Sequence, residues 1–91
     1  MRVISQDGTM DVPYENVVLY QDEKEIMCIF SGIYIGEKIA QYSTEEKAEK
    51  AMEMLREKYK DYAKATNKSN FFTMFDYPKV FQFPQDEDVE V

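Results

Sequence analysis

The sequence predicts an α+β fold: an antiparallel β-sheet of about five to six short strands packed on one long α-helix. Three observations carry this. Short apolar or alternating stretches separated by turn residues fill the chain as far as Tyr42. From Thr44 the apolar period becomes helical. The strands also precede the helix without the strand–helix alternation of a parallel sheet.

Arg2-Val3-Ile4-Ser5 reads as the first strand and Gln6-Asp7-Gly8-Thr9 as a turn, because Asp-Gly tolerates positive φ. Met10-Asp11-Val12 returns as its partner, ended by Pro13, which cannot donate to a ladder. Val17–Tyr20 reads as a buried strand, Asp22-Glu23-Lys24 as a turn and Glu25–Phe30 as the next strand. Ser31-Gly32 breaks that run. Ile33 to Tyr42 then fits either a hairpin turning at Gly36-Glu37 or one strand bulged at Gly36.

The helix announces its own start. Ser43 is placed to cap the first turn, and Glu46, three residues on, to reach back in a capping box. Ala48, Ala51, Met52, Leu55, Tyr59, Tyr62 and Ala63 form one apolar stripe, and Asn67 is the expected stop. Residues 66–79 follow as a loop rich in large side chains, among them Phe71, Phe72, Met74, Phe75 and Tyr77. Val80-Phe81-Gln82-Phe83 alternates up to Pro84 and reads as a last edge strand. The chain divides into one domain, 1–84, and an acidic tail, 85–91.

Ninety-one residues bury a modest core, and a domain of this size is often stabilised by association, so a homo-oligomer is expected. The formal charge is −7, and Asp86, Glu87, Asp88 and Glu90 supply four of those charges; without them it is −3. That tail reads first as a solvated, frayed terminus and second as an acidic arm for a basic partner, imitating nucleic-acid phosphates. Duplex nucleic acid is excluded as a direct partner, since phosphate contacts need clustered Lys and Arg and the chain has two arginines. Cys28 is the sole cysteine, within the apolar run Ile26–Phe30, and reads as a small core residue. No apolar run reaches membrane-spanning length and no signal peptide opens the chain, which predicts a cytoplasmic protein.

No catalytic signature is present. The absence of histidine removes Ser-His and Cys-His pairs and histidine zinc sites, so the chain reads as a non-enzyme without cofactor or metal. Gly32 to Gly36 lacks the lysine and the length of a phosphate loop, and Asp7 and Asp11 lack the ligand density of a calcium loop. The candidate ligand-binding set is Arg56, Lys60, Phe71, Phe72 and Phe75: cations on the helix leading into an aromatic loop, suited to an anionic ligand with a ring to stack. Lys58 and Lys64 add to the same charge. The alternative, partner-binding set is Asp86, Glu87, Asp88 and Glu90.

The opening Met1-Arg2-Val3-Ile4-Ser5-Gln6-Asp7-Gly8-Thr9 with Asp11-Val12-Pro13-Tyr14-Glu15, the helix start Tyr42-Ser43-Thr44-Glu45-Glu46-Lys47-Ala48 with Ala51 to Arg56, and Val80-Phe81-Gln82-Phe83-Pro84 resemble a family of small proteins of clostridial phages and prophages. These stretches cover about half of the chain. More distantly, the opening and the Ser-Thr-Glu-Glu-Lys-Ala helix are similar to the first Thoeris anti-defence family, phage proteins that sequester cyclic nucleotide immune signals. That resemblance implies an α+β homo-oligomer with nucleotide pockets at subunit interfaces and no turnover, acting in the host bacterial cytoplasm. It supplies no binding residue, because the C-terminal half of this chain does not match the ligand-binding part of that family.

Overall fold

The computed structural model describes residues 1–30, 35–67 and 80–91, with helix side chains described as far as Lys64. The class is α+β, but the strands form two three-stranded sheets instead of one. In the first, β1 (Arg2–Ile4) lies between β2 (Asp11–Pro13) and β6 (Val80–Gln82). In the second, β3 (Val17–Asp22), β4 (Glu25–Phe30) and β5 (Glu37–Gln41) form an antiparallel meander. Helix α1 (Glu45–Asn67) packs against β3 and β4. Both sheets and the helix share one core, in which Val3, Phe81 and Phe83 meet Ile26, Cys28, Ala48, Ala51 and Leu55.

The first hairpin forms as its turn chemistry requires. Gly8 takes φ +80°, and one Asp7 carboxylate oxygen accepts from the Ser5 hydroxyl at 2.7 Å, the Thr9 N–H at 3.0 Å and the Thr9 hydroxyl at 2.7 Å. Those bonds hold the Asp7 carboxyl down at about 2, the Thr9 hydroxyl contributing most. The sheet departs from the antiparallel expectation at β6, which runs parallel to β1 with Val3 opposite Phe81. The chain re-enters this sheet only after the whole helix, and so is free to arrive in either direction; a tight turn would have forced antiparallel pairing.

Val17–Tyr20 is not the buried strand expected. It lies in an edge strand with one face on the helix: Val17, Leu19 and Gln21 are half-buried, whereas Val18 and Tyr20 are 58% and 38% exposed. Of the two readings after Phe30, the described residues include β5 pairing back on β4, while residues 31–34 lie outside them. A bulge is present, at Ile39 and not at Gly36: Ile26 pairs with Ala40 and Met27 with Lys38. The extra residue lets consecutive Ile39 and Ala40 both face the core, at 2% and 3% exposure. Gly36 has a packing reason instead, since a Cβ there would come within 2.6 Å of the Tyr20 hydroxyl.

The helix cap is shifted by one residue. Thr44, not Ser43, caps: its hydroxyl accepts from the Lys47 N–H at 3.1 Å, and its carbonyl receives the first helical bond from Ala48. Lys47 thus stands where the box needed its acid, and Glu46 does not fill that role. A carboxylate from far along the chain instead bonds the residue before the cap. Asp86 Oδ1 accepts the Ser43 N–H at 2.7 Å, and Lys47 Nζ donates to the Asp86 carbonyl at 2.9 Å. The apolar stripe is as expected, with Ala48, Ala51 and Leu55 buried and Met52, Tyr59, Tyr62 and Ala63 half-buried.

The C-terminal residues are docked rather than frayed. Tyr42 donates its hydroxyl to the Pro84 carbonyl at 2.9 Å, Gln85 Nε2 donates to the Gln6 carbonyl at 2.6 Å, and Asp86–Asp88 form a 3₁₀ turn. Val89 is buried at 3% exposure, which supplies the apolar anchor that the run of acids concealed. Burial, and secondarily the charge of Asp86, push the Tyr42 phenol far above its ordinary range.

Candidate functional site

Helix α1 and strand β3 do not close on each other completely. Between them lies a groove of about 280 Å³ lined by Tyr14, Val17, Leu19, Met52, Leu55 and Arg56. Val17 and Leu19 line it because strand alternation turns them toward the helix; Met52, Leu55 and Arg56 because they occupy adjacent turns of one helical face. Tyr14 is brought in by the 3₁₀ turn Tyr14–Asn16 that follows Pro13. Its ring stands 4.5 Å from that of Tyr59, tilted by 37°, and Tyr59 in turn lies 5.9 Å from Tyr62. A short ladder of phenol rings therefore runs from the groove along the helix.

Arg56 is exposed at the rim of this groove, where its place beside Leu55 on the helix put it. Among the described residues it has no hydrogen-bond or ion-pair partner. The other arginine is occupied: Arg2 pairs with Asp11 across the first hairpin. Lys60 lies one turn beyond Arg56, exposed, with its Nζ 3.4 Å from Glu57 Oε1, a surface pair that holds it only weakly. Phe71, Phe72 and Phe75 lie outside the described residues. Arg56 and Lys60 thus share a helix face, and the aromatic neighbours that the structure gives them are Tyr14 and Tyr59. The helical period exposed the Tyr59 part of this arrangement in advance. Nothing local pointed to Tyr14, which is separated from Tyr59 along the chain and meets it only through the packing of β3 under the helix.

No family model matches the chain, and neither a curated protein nor a solved structure matches it.

The remaining candidates divide. Asp86 is committed to the helix start, and its bond from the Ser43 N–H, ahead of the Lys47 charge, holds its carboxyl below the ordinary range. Glu87, Asp88 and Glu90 are exposed. Cys28 is buried, and desolvation pushes its thiol up, which suits a packing residue rather than a nucleophile. Among the described residues no cluster of acids, cysteines or histidines is placed to hold a metal ion, and no helix is long and apolar enough to cross a membrane.

Proposed function

We propose that this chain is a phage- or prophage-encoded, non-enzymatic binding protein that sequesters a small nucleotide in the groove between α1 and β3, as a homo-oligomer. The observation that carries it is Arg56: a guanidinium without a described partner, at the mouth of a groove that Val17, Leu19, Met52 and Leu55 line and a tyrosine walls. A phosphate meets the guanidinium fork, a base meets the ring of Tyr14, and Lys60 adds positive charge one turn away. The resemblance of the opening and helix motifs to cyclic-nucleotide sponges makes cyclic nucleotides the first ligands to try. The groove's 280 Å³ is below the range of about 300–1,000 Å³ usual for small-molecule sites, in keeping with a pocket completed by a further subunit.

Native mass spectrometry and calorimetry with cyclic and linear nucleotides test this. Binding should fall about 10- to 100-fold in Arg56→Ala, equivalent to the about 1.5–3 kcal/mol of a charge-assisted hydrogen bond. Failure to retain any nucleotide would overturn the reading.

A second reading is favoured by Glu87 and Asp88, exposed on a turn that Asp86 and Val89 hold in place, and by exposed Glu90 just beyond it. Such a rigid acidic patch suits a basic face of a defence or nucleic-acid-handling protein. Its test is the triple change Glu87→Gln, Asp88→Asn and Glu90→Gln, because deleting residues 85–91 also removes Asp86 and Val89 from the fold. Inhibition that survives the triple change would sink it.

A further inference from the structure

The two edges of the β3–β4–β5 sheet are treated differently by the rest of the chain. Along β5, the Gln6 N–H donates to the Ile39 carbonyl at 2.9 Å and the Gln6 side-chain oxygen accepts from the Gln41 N–H at 2.9 Å. Along the outer side of β3, no backbone bond is made to a described residue. This strand, Val17–Asp22, contains no Lys, Arg, Pro or Gly, the residues with which proteins usually blunt a free edge. The two-residue turn Glu23-Lys24, with Glu23 at φ +55°, closes the hairpin at the pair Asp22 and Glu25. Antiparallel alternation then directs the N–H and C=O groups of Tyr20 and Val18 toward β4, and those of Val17, Leu19 and Gln21 outward.

We propose that this edge pairs antiparallel with β3 of a second copy of the chain, Leu19 lying on the two-fold axis. In that register Leu19 opposes Leu19 and Val17 opposes Gln21, so every outward-directed group finds a partner in both copies. Sliding by two residues in either direction loses one of these pairs, and sliding by one turns the buried faces outward. The same register sets exposed Val18 opposite exposed Tyr20, a β-branched–aromatic pair of the kind that stabilises sheets. Asp22 opposes Asn16, so no acid faces an acid within the strand. Such an isologous contact is self-complementary and closes at two subunits.

The floor of the Arg56 groove is β3 itself, through Val17 and Leu19. Adding a second β3 extends that floor and sets a second groove beside the first, which gives the site the room that one copy lacks. This last step rests on the nucleotide reading; the strand pairing does not.

The test is sedimentation of the full chain over a wide concentration range, with hydrogen exchange of the backbone amides. A dimer with slow exchange at Val17, Leu19 and Gln21 is expected, and a monomer for Val18→Lys with its far-UV spectrum unchanged. A chain that stays monomeric, or a dimer whose Val17, Leu19 and Gln21 amides exchange freely, overturns the pairing, and this wild-type measurement holds however Val18→Lys folds. A dimer that retains no nucleotide leaves the pairing standing and removes the ligand reading; a monomer that retains one does the reverse.

Discussion

The two sides of the molecule are held by different physics. On the side where β1, β6 and the C-terminal turn meet β5 and the helix start, polar groups are paired within the chain. Gln6, Tyr42, Ser43, Lys47, Gln85 and Asp86 tie together segments far apart in sequence. On the side of β3 and the middle of α1, the packing is mainly apolar and aromatic, the outer side of β3 makes no backbone bond to a described residue, and Arg56 lacks a described partner. The first side uses its hydrogen-bonding capacity to specify the fold. The second withholds some of that capacity, which leaves it available for a ligand or for another copy.

Substitutions sharpen this contrast in order of size. Phe83→Ala, at 1% exposure on the closed side, should cost about 3–5 kcal/mol by urea unfolding, a large share of what a small domain has. Thr44→Ala removes the helix cap and should cost about 1 kcal/mol in the same assay. Tyr42→Phe should cost about 1 kcal/mol or less, because the Pro84 carbonyl keeps its bond from Gln6 Nε2 at 3.1 Å.

Acid provides the next, gentler probe. The folded-state pKa of Asp7 is depressed from 3.8 to about 2, so its contribution is complete above 3.8 and is lost as pH falls toward about 2. Asp86 is shifted in the same direction and behaves alike. Thermal midpoints measured down to low pH should therefore fall less steeply in Asp7→Asn and Asp86→Asn than in the parent chain. A parallel fall would show that these carboxylates do not set the acid limb. The smallest stability effect belongs to the open side: Arg56→Ala should lie within about 0.5 kcal/mol of the parent. A larger loss would mean that Arg56 serves the fold.

What could be read in advance was what neighbours in sequence decide. The Gly8 turn, the apolar stripe from Ala48 to Tyr62 and the buried Cys28 all follow from local period or turn chemistry. What could not be read was set by contacts across the chain. The Thr44 hydroxyl caps the helix while the Ser43 N–H goes to Asp86, far along the chain. The single sheet became two because neither β1 nor β2 pairs with the β3–β4–β5 meander, and β6 joins β1. At the site, Arg56 was legible from the helical face and Tyr59 only as part of the apolar stripe, whereas Tyr14, Val17 and Leu19 entered by tertiary packing alone.

The long-range bond between Asp86 and Ser43 also bears on when the molecule becomes complete. During synthesis the helix emerges well before residues 80–89, and β1 waits just as long for β6. Until those residues appear, Ser43 must give its N–H to water, Phe81, Phe83 and Val89 are missing from the core, and the first sheet is a two-stranded hairpin of marginal stability. Strand β3 and its meander, by contrast, are assembled from residues 17–41 and need none of the later chain for their pairing. A nascent chain would therefore present strand β3 before its own closure is finished, so the rate at which residues 80–89 dock bears on how cleanly the protein is made.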